Sequence, residues 1–219
     1  MSMTADELDK RQAIIGACRR MNALGINQGT SGNISVRHRD GLLVTPTSVP
    51  YEAMTPDQIV FMAMDGSHAP TQKPSSEWRF HRDIYAARRE VGAIVHAHSP
   101  FATSIACLGR DIPPFHYMIA VAGGKDIRCA AYATFGTQQL SDHALCALEG
   151  RKACLLANHG MIAVGASLTA ALALAVEVEA LAEQYWRALQ IGPPNLLSDV
   201  EMEIVLEKFC SYGQPDAER

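Results

Sequence analysis

The sequence predicts a single α/β domain spanning residues 1–219. Short apolar runs bounded by glycine, proline or asparagine read as strands. They alternate with stretches of helical periodicity, several opened by a capping serine or threonine. The 219 residues are 48% hydrophobic and 19% charged, enough for one substantial core, and no internal repeat or linker divides them.

Thr4 opens the first helix, with Glu7 placed for a capping box and Gly25 as the stop. Asn27-Gln28-Gly29-Thr30-Ser31-Gly32-Asn33-Ile34-Ser35 then has two readings. Composition favours a helix-to-strand turn. The alternative is a nest of accessible backbone N–H groups that holds an anion. Residues 34–37 and 42–45 read as a hairpin around Asp40-Gly41. Thr45-Pro46-Thr47-Ser48 is a second loop of small hydroxyl residues, and residues 60–64 form a short strand.

Lys73-Pro74-Ser75-Ser76-Glu77 leads into a helical pattern from Trp78 to Tyr85. Ser75 and Ser76 either cap that helix or help its free N–H groups receive a phosphate. Glu77, expected in the first turn, is either ordinary dipole compensation or a catalytic acid–base group. His81 shares its helix face and could simply hydrogen-bond to it.

Ala93-Ile94-Val95-His96-Ala97-His98-Ser99-Pro100 is a strand ending in two histidines. Residues i and i+2 of a strand share a face, so His96 and His98 can aim at one point while Ala97 packs behind them. The pair is either two strand-end histidines or two ligands of a zinc-type metal. His159, in Asn158-His159-Gly160 at the end of another apolar run, supplies a third imidazole. Three histidines with an open position make a catalytic metal site.

Residues 100–108 read as a helix, and Pro113-Pro114 break the chain before Phe115-His116-Tyr117. Residues 118–124 are ambiguous, and residues 130–132 read as a strand piece. Thr137 caps a helix stopped by Gly150, and residues 152–164 form two strands turning at Asn158-His159-Gly160. Ser167 caps a long helix ended by Gly192-Pro193-Pro194, and Ser198 with Glu201 opens the last one. His38, His68, His116 and His143 show no partner in the sequence and are expected to be structural or solvated.

A net charge of −4 argues against a general nucleic-acid or membrane-surface partner. Six scattered cysteines without C-x-x-C fit small buried hydrophobes in a reducing cytosol. The polar first residues give no signal-peptide pattern, and no apolar run is long enough to span a bilayer, so a cytoplasmic protein is expected.

Together these stretches resemble the class II aldolase/adducin family, on the side of its aldolases that act on L-fuculose 1-phosphate. The resemblance runs from the first helix to Lys208-Phe209-Cys210-Ser211-Tyr212-Gly213. It is strongest in residues 27–37, 74–81, 115–124, 132–137 and 158–160. It implies a three-layer α/β/α fold around a mixed, mostly antiparallel sheet, assembled as a cyclic homotetramer. It implies Zn2+, or Mn2+ or Co2+, on His96, His98 and His159, with Glu77 as a fourth ligand that substrate displaces and frees as a base. The substrate phosphate would lie against Asn33, Thr47, Ser48, Ser75 and Ser76. Phe135 and Phe209 would wall the aldehyde pocket, and Tyr117 and Tyr212 would act in a neighbouring subunit's site. The family usually reads Thr-Pro-Thr-Gly where this chain has Thr45-Pro46-Thr47-Ser48.

The implied reaction is reversible cleavage of a ketose 1-phosphate between C3 and C4, giving dihydroxyacetone phosphate and a small aldehyde. L-fuculose 1-phosphate, giving L-lactaldehyde, comes first; 5-deoxyribulose and 5-methylthioribulose 1-phosphates are close rivals. A Schiff-base route would fall to Lys152 and is disfavoured. Ribulose-phosphate 4-epimerases of the family carry aspartate where this chain has Glu77. The Tyr117 region and the C-terminal tail count against a methylthioribulose-phosphate dehydratase. An adducin-like scaffold without a metal site is disfavoured by the presence of Glu77 and all three histidines.

Overall fold

The computed structural model describes residues 3–210. The helices are α1 (Ala5–Ala23), α2 (Trp78–Ala87), α3 (Pro100–Ala106), α4 (Gln138–Ala147), α5 (Leu168–Ile191) and α6 (Asp199–Cys210). The strands are β1 (Asn33–His38), β2 (Gly41–Val44), β3 (Val60–Ala63), β4 (Ala93–Ala97), β5 (Cys129–Ala130), β6 (Ala153–Leu156) and β7 (Gly160–Gly165). They form one seven-stranded sheet in the order β3-β2-β1-β4-β7-β6-β5. Every pairing is antiparallel except β5 with β6, so the sheet is mixed and mostly antiparallel, as the resemblance implied.

The strands alternate because both faces are covered. Ala93, Val95 and Ala97 of β4 pack toward α1, α3 and α5, whereas Ile94 packs with Phe80 and Ile84 of α2. Helices α2 and α4 pack on each other across that second face. The result is three layers, helix–sheet–helix.

The caps hold the helices where the side-chain chemistry predicts. Thr4, Thr137 and Ser167 accept the N–H of Glu7, Leu140 and Ala170, and Ser198 accepts that of Glu201. Two starts differ from expectation. Glu7 turns its carboxylate to Arg11 instead of closing a capping box. Helix α2 begins at Trp78, so Glu77 is its N-cap residue and not part of its first turn. Ser75 Oγ accepts the Glu77 N–H at 3.3 Å, leaving the Glu77 carboxylate free to point elsewhere. The ambiguous residues 118–124 lie largely in a 3-10 helix, Tyr117–Ala122, whose first turn is capped by His116 Nδ1 accepting from the Met118 N–H.

Candidate active site

Strand β4 ends at the centre of the sheet between β1 and β7, and the site is built around that end. His96 is buried and His98 lies one step beyond the strand. The turn between β6 and β7 delivers His159 beside them. Asn158 takes a left-handed backbone there, φ 53°, which asparagine tolerates better than most residues. Gly160 then lies so close to β4 that an added Cβ would sit 2.6 Å from the Ala97 carbonyl oxygen and 2.9 Å from the His98 ring. Glycine at that position is what lets the third histidine approach.

The three imidazoles face one another with ring centroids 4.8–5.0 Å apart. Glu77 reaches into the same space from the start of α2. Its Oε2 lies 3.1 Å from His96 Nε2, and its Oε1 lies 3.0 Å from His159 Nε2. One donor atom from each of the four residues falls within 4.8 Å of all the others. A tetrahedral ion with bonds of about 2.0–2.1 Å needs ligand atoms about 3.3 Å apart, close to these separations.

The charge states suit a divalent cation. Burial alone would push the Glu77 carboxyl up, but His96 and His159 outweigh it and hold the group far below the usual carboxylate range. Burial, with the neighbouring histidines, pushes His98 down to about 4. An anionic carboxylate therefore faces a neutral imidazole. His96 Nδ1–H donates to the Met161 carbonyl at 2.9 Å, which turns the Nε2 lone pair toward Glu77 and His98. Glu77 Oε1 is buried without a hydrogen-bond partner among the described residues, its approach to His159 being a contact and not an aligned bond. Converging lone pairs around an orphaned carboxylate oxygen are what a bound cation would reconcile. These four residues fit the metal.

A cavity of about 280 Å³ opens above the cluster, lined by Glu77, His98 and His159 together with Ser31, Ser76, Tyr132, Phe135 and Asn158. A larger groove of about 620 Å³ runs between α1 and α5, but its lining is mostly apolar and it holds none of these groups.

The structure sets the loops that carry the expected phosphate residues side by side, although of those residues only Ser76 lines the cavity. The Ser75 N–H donates to Thr45 O and the Thr47 N–H to Lys73 O, so the two hydroxyl-bearing loops run side by side. Thr45 is tied in turn to Ile34, which places Asn33 next to both. Ser48 adopts φ 58°, the left-handed conformation that glycine takes without cost. For serine that conformation costs about 1–2 kcal/mol, yet the loop keeps it. Asn33 itself is buried, and its amide donates to Glu77 Oε2 at 2.9 Å. His81 does not bond Glu77 directly: its Nε2 meets Asn33 Oδ1 at 2.5 Å.

Phe135 stands in the cavity wall, 65% exposed, on a loop seated against Ser76. Gly136 permits that seat, since a Cβ there would meet the Ser76 carbonyl oxygen at 2.8 Å. Phe209 packs against the core below α5 and does not line the cavity. Tyr117 is half-exposed on the 3-10 helix and is likewise absent from the cavity of its own chain. Tyr212 lies outside the described residues.

Three residues lie in stretches that the sequence singles out without giving them an individual role. Tyr132, expected in a strand piece, lies two residues beyond the end of β5 and lines the cavity with Phe135. Ser31 lines it from the 27–35 loop, which is both a turn and part of the site. Asn27 braces that loop, its Oδ1 accepting from Ser31 Oγ and from the His98 backbone N–H.

Residues 12–186 match the family described as Class II Aldolase and Adducin N-terminal domain. The chain belongs to the class II aldolase family. It is 59% identical over 211 residues to a 5-methylthioribulose-1-phosphate/5-deoxyribulose-1-phosphate aldolase of Rhodospirillum rubrum, covering 96% of each chain. It is 52% identical to the L-fuculose phosphate aldolase of Escherichia coli, covering 91% of this chain and 94% of that one. A solved L-fuculose 1-phosphate aldolase superposes with a TM-score of 0.89 at 41% identity, covering 92% of this chain and 96% of that one. The candidate site in this family member is the cluster of Glu77, His96, His98 and His159 at the sheet centre, which could hold a metal ion, beside a cavity walled in part by Tyr132 and Phe135.

Proposed function

We propose that this aldolase, as one domain, cleaves ketose 1-phosphates that end in a methyl or other apolar group. The observation that carries the proposal is the small cavity whose floor is the His/Glu cluster and whose wall is Phe135 and Tyr132. Its substrates would be 5-deoxyribulose 1-phosphate, 5-methylthioribulose 1-phosphate and L-fuculose 1-phosphate, as in the relatives of similar sequence. An apolar pocket separates compounds differing by a methyl-sized group by only about 1–3 kcal/mol, so overlap among the three is expected.

Ser75, Ser76, Thr47, Ser48 and Asn33 would hold the phosphate, with hydroxyls and with N–H groups near the start of α2. His96, His98 and His159 would hold zinc, manganese or cobalt, with Glu77 as a fourth ligand until substrate arrives. When bound, that ion supplies Lewis acidity for the negative charge that develops on the dihydroxyacetone phosphate half. In cleavage the C3–C4 bond breaks, the C4 hydroxyl loses its proton, and C3 gains one. Once displaced and protonated, Glu77 would give its proton to C3, the proton released from the C4 hydroxyl balancing the exchange, and in condensation it would take a proton back from C3. Tyr117 of another copy would exchange the proton at the aldehyde oxygen, with Tyr212 beside it. Phe135 would exclude water from the aldehyde end, and Phe209, packed on the core of its own chain, would take part only in another copy's site.

The exposure of Tyr117 and its absence from the lining of its own cavity support action across a subunit boundary, hence a ring such as a homotetramer. Tyr117→Phe should reduce turnover while leaving the fold intact. Light scattering should find an oligomer at working concentration, and a fully active monomer would contradict the assignment. No helix among the described residues is long and apolar enough to cross a membrane. Free cysteines at residues 18, 107, 129, 146 and 154 support a reducing, cytoplasmic setting.

The test of substrate is a cleavage assay with all three ketose 1-phosphates, coupling dihydroxyacetone phosphate to a reductase and following nicotinamide absorbance. Measurable cleavage of more than one is expected. Silence with all three, alongside conversion of ribulose 5-phosphate to its 4-epimer, would replace the aldolase reading by an epimerase.

A further inference from the structure

Behind Glu77 and Asn33 lie three buried polar groups, Ser35, His81 and Tyr85, that the reaction as described does not use. Asn33 pairs across the sheet with His96, and Ser35 lies two residues along β1, on the same face. That face meets α2, where Glu77, His81 and Tyr85 recur at helical spacing, so one row of α2 lies over one row of β1. Ser35, His81 and Tyr85 are all essentially inaccessible to water. Ser35 Oγ lies 3.0 Å from Tyr85 Oη and 2.7 Å from His81 Nδ1. His81 Nε2 lies 2.5 Å from Asn33 Oδ1, and Asn33 Nδ2 donates to Glu77 Oε2 at 2.9 Å.

The proton positions follow from the end of the chain. The Glu77 carboxylate can only accept, so Asn33 must turn its NH2 toward it and its carbonyl oxygen toward His81. His81 Nε2 therefore carries the proton. Its Nδ1 then accepts from the Ser35 hydroxyl, and Ser35 accepts from Tyr85. Every donor in the series points toward Glu77. Phe80 stacks on the His81 ring at 4.7 Å and meets His96 edge-on at 5.4 Å, so both rings are held by the same side chain.

We infer that His81 is a positioning residue for the aldol reaction: fixed by Ser35 and Tyr85, it locks the Asn33 amide in the one orientation that aims an N–H at the Glu77 carboxylate. Without His81 the amide is free to turn its carbonyl toward Glu77, setting two acceptors against each other and displacing the carboxylate from its resting place beside the histidines, from which substrate releases it toward C3. The inference rests on the aldolase reading above, because Glu77 is the group whose placement it explains.

The experiment compares His81→Leu, which removes both nitrogens, with His81→Gln, whose amide N–H can still reach Asn33. Both are made in the wild-type and Asn33→Ala backgrounds. Loss of a group that orients a metal-site ligand typically costs roughly 10–100-fold in activity or metal affinity. His81→Leu should lower kcat by that order with a smaller change in KM, and His81→Gln should recover most of it. In the Asn33→Ala background His81→Leu should cost nothing further. A kcat within about twofold of wild type, a Gln variant as slow as the Leu variant, or an undiminished loss on top of Asn33→Ala would each overturn the inference. Two readouts do not need activity. Nitrogen NMR of the wild-type protein should show His81 as the neutral Nε2–H tautomer, and competition with a chromogenic chelator should show weaker zinc binding in His81→Gln than in wild type but stronger than in His81→Leu. The opposite tautomer refutes the inference even if the Leu variant does not fold. A wild-type protein that cleaves no ketose 1-phosphate yet shows the expected tautomer and zinc ranking would overturn the aldolase reading and leave the alignment of Glu77 standing.

Discussion

Glu77→Gln should cut carbon–carbon cleavage by roughly 10²-fold or more, the range expected when a general base is removed, while the protein still binds metal. The substitution keeps the shape of the side chain, and the glutamine oxygen can still accept from Asn33. What disappears is the group that carries the proton to C3 in cleavage and from it in condensation. The native carboxylate is well suited to accept a proton only after it leaves the histidines: beside His96 and His159 it is held far below the usual carboxylate range. Displacement by substrate would remove that restraint and return the group to a range where it takes a proton from carbon. Single-turnover cleavage and metal content, measured on the same preparation, separate the two roles. A variant that retains its ion and its turnover would reduce Glu77 to a structural acid at the start of α2.

How far this site could be read in advance depended on whether its chemistry ran along the chain or across it. The histidine pair was legible because a strand places i and i+2 on one face, and β4 does so at the sheet centre. His159 was legible because an apolar run ended in Asn-His-Gly, a sequence that must turn. Strands and capped helices followed apolar runs and Ser/Thr signals, whereas the three-layer arrangement came from the family resemblance and not from those signals. The 3-10 helix over Tyr117–Ala122 was not, because its small and apolar residues show no helical period and its cap is the His116 ring. Glu77 was misplaced by a single position: Pro74 and Ser75 mark where a helix may start, but only the backbone turn at Ser75 shows that the acid is the cap. The His81–Asn33 contact joins residues 48 apart in sequence and was invisible. Local spacing offered only a bond between His81 and Glu77, one turn apart, which the fold replaces with Asn33. For the same reason His38 looked unpartnered, though it is buried beside Asp6 and Glu7 at the start of α1.

Purified protein should hold about one divalent ion per chain, and removal of that ion should abolish cleavage. The donor set decides this expectation. Three imidazole nitrogens and one carboxylate oxygen meet within 4.8 Å, and among the described residues Glu77 Oε1 has no hydrogen-bond partner. Lewis-acid stabilisation of developing charge is worth several kcal/mol, and about 1.4 kcal/mol is a factor of ten in rate, so stripping the ion should cost on the order of 10³-fold or more. Zinc, manganese or cobalt should restore activity to the stripped protein. Stability should respond as well. An ion at 100 times its Kd stabilises the fold by about 2.7 kcal/mol, and about 2–4 °C of Tm accompanies each kcal/mol in a chain of this size. A rise of roughly 5–10 °C on adding metal follows, readable by calorimetry without any substrate. His98→Ala removes one ligand from the exposed side of the cluster, away from the buried His96, and should lose both the thermal shift and the activity while still folding. If that variant, shown to be metal-free, turned over substrate at the wild-type rate, the histidine cluster would have no part in the chemistry.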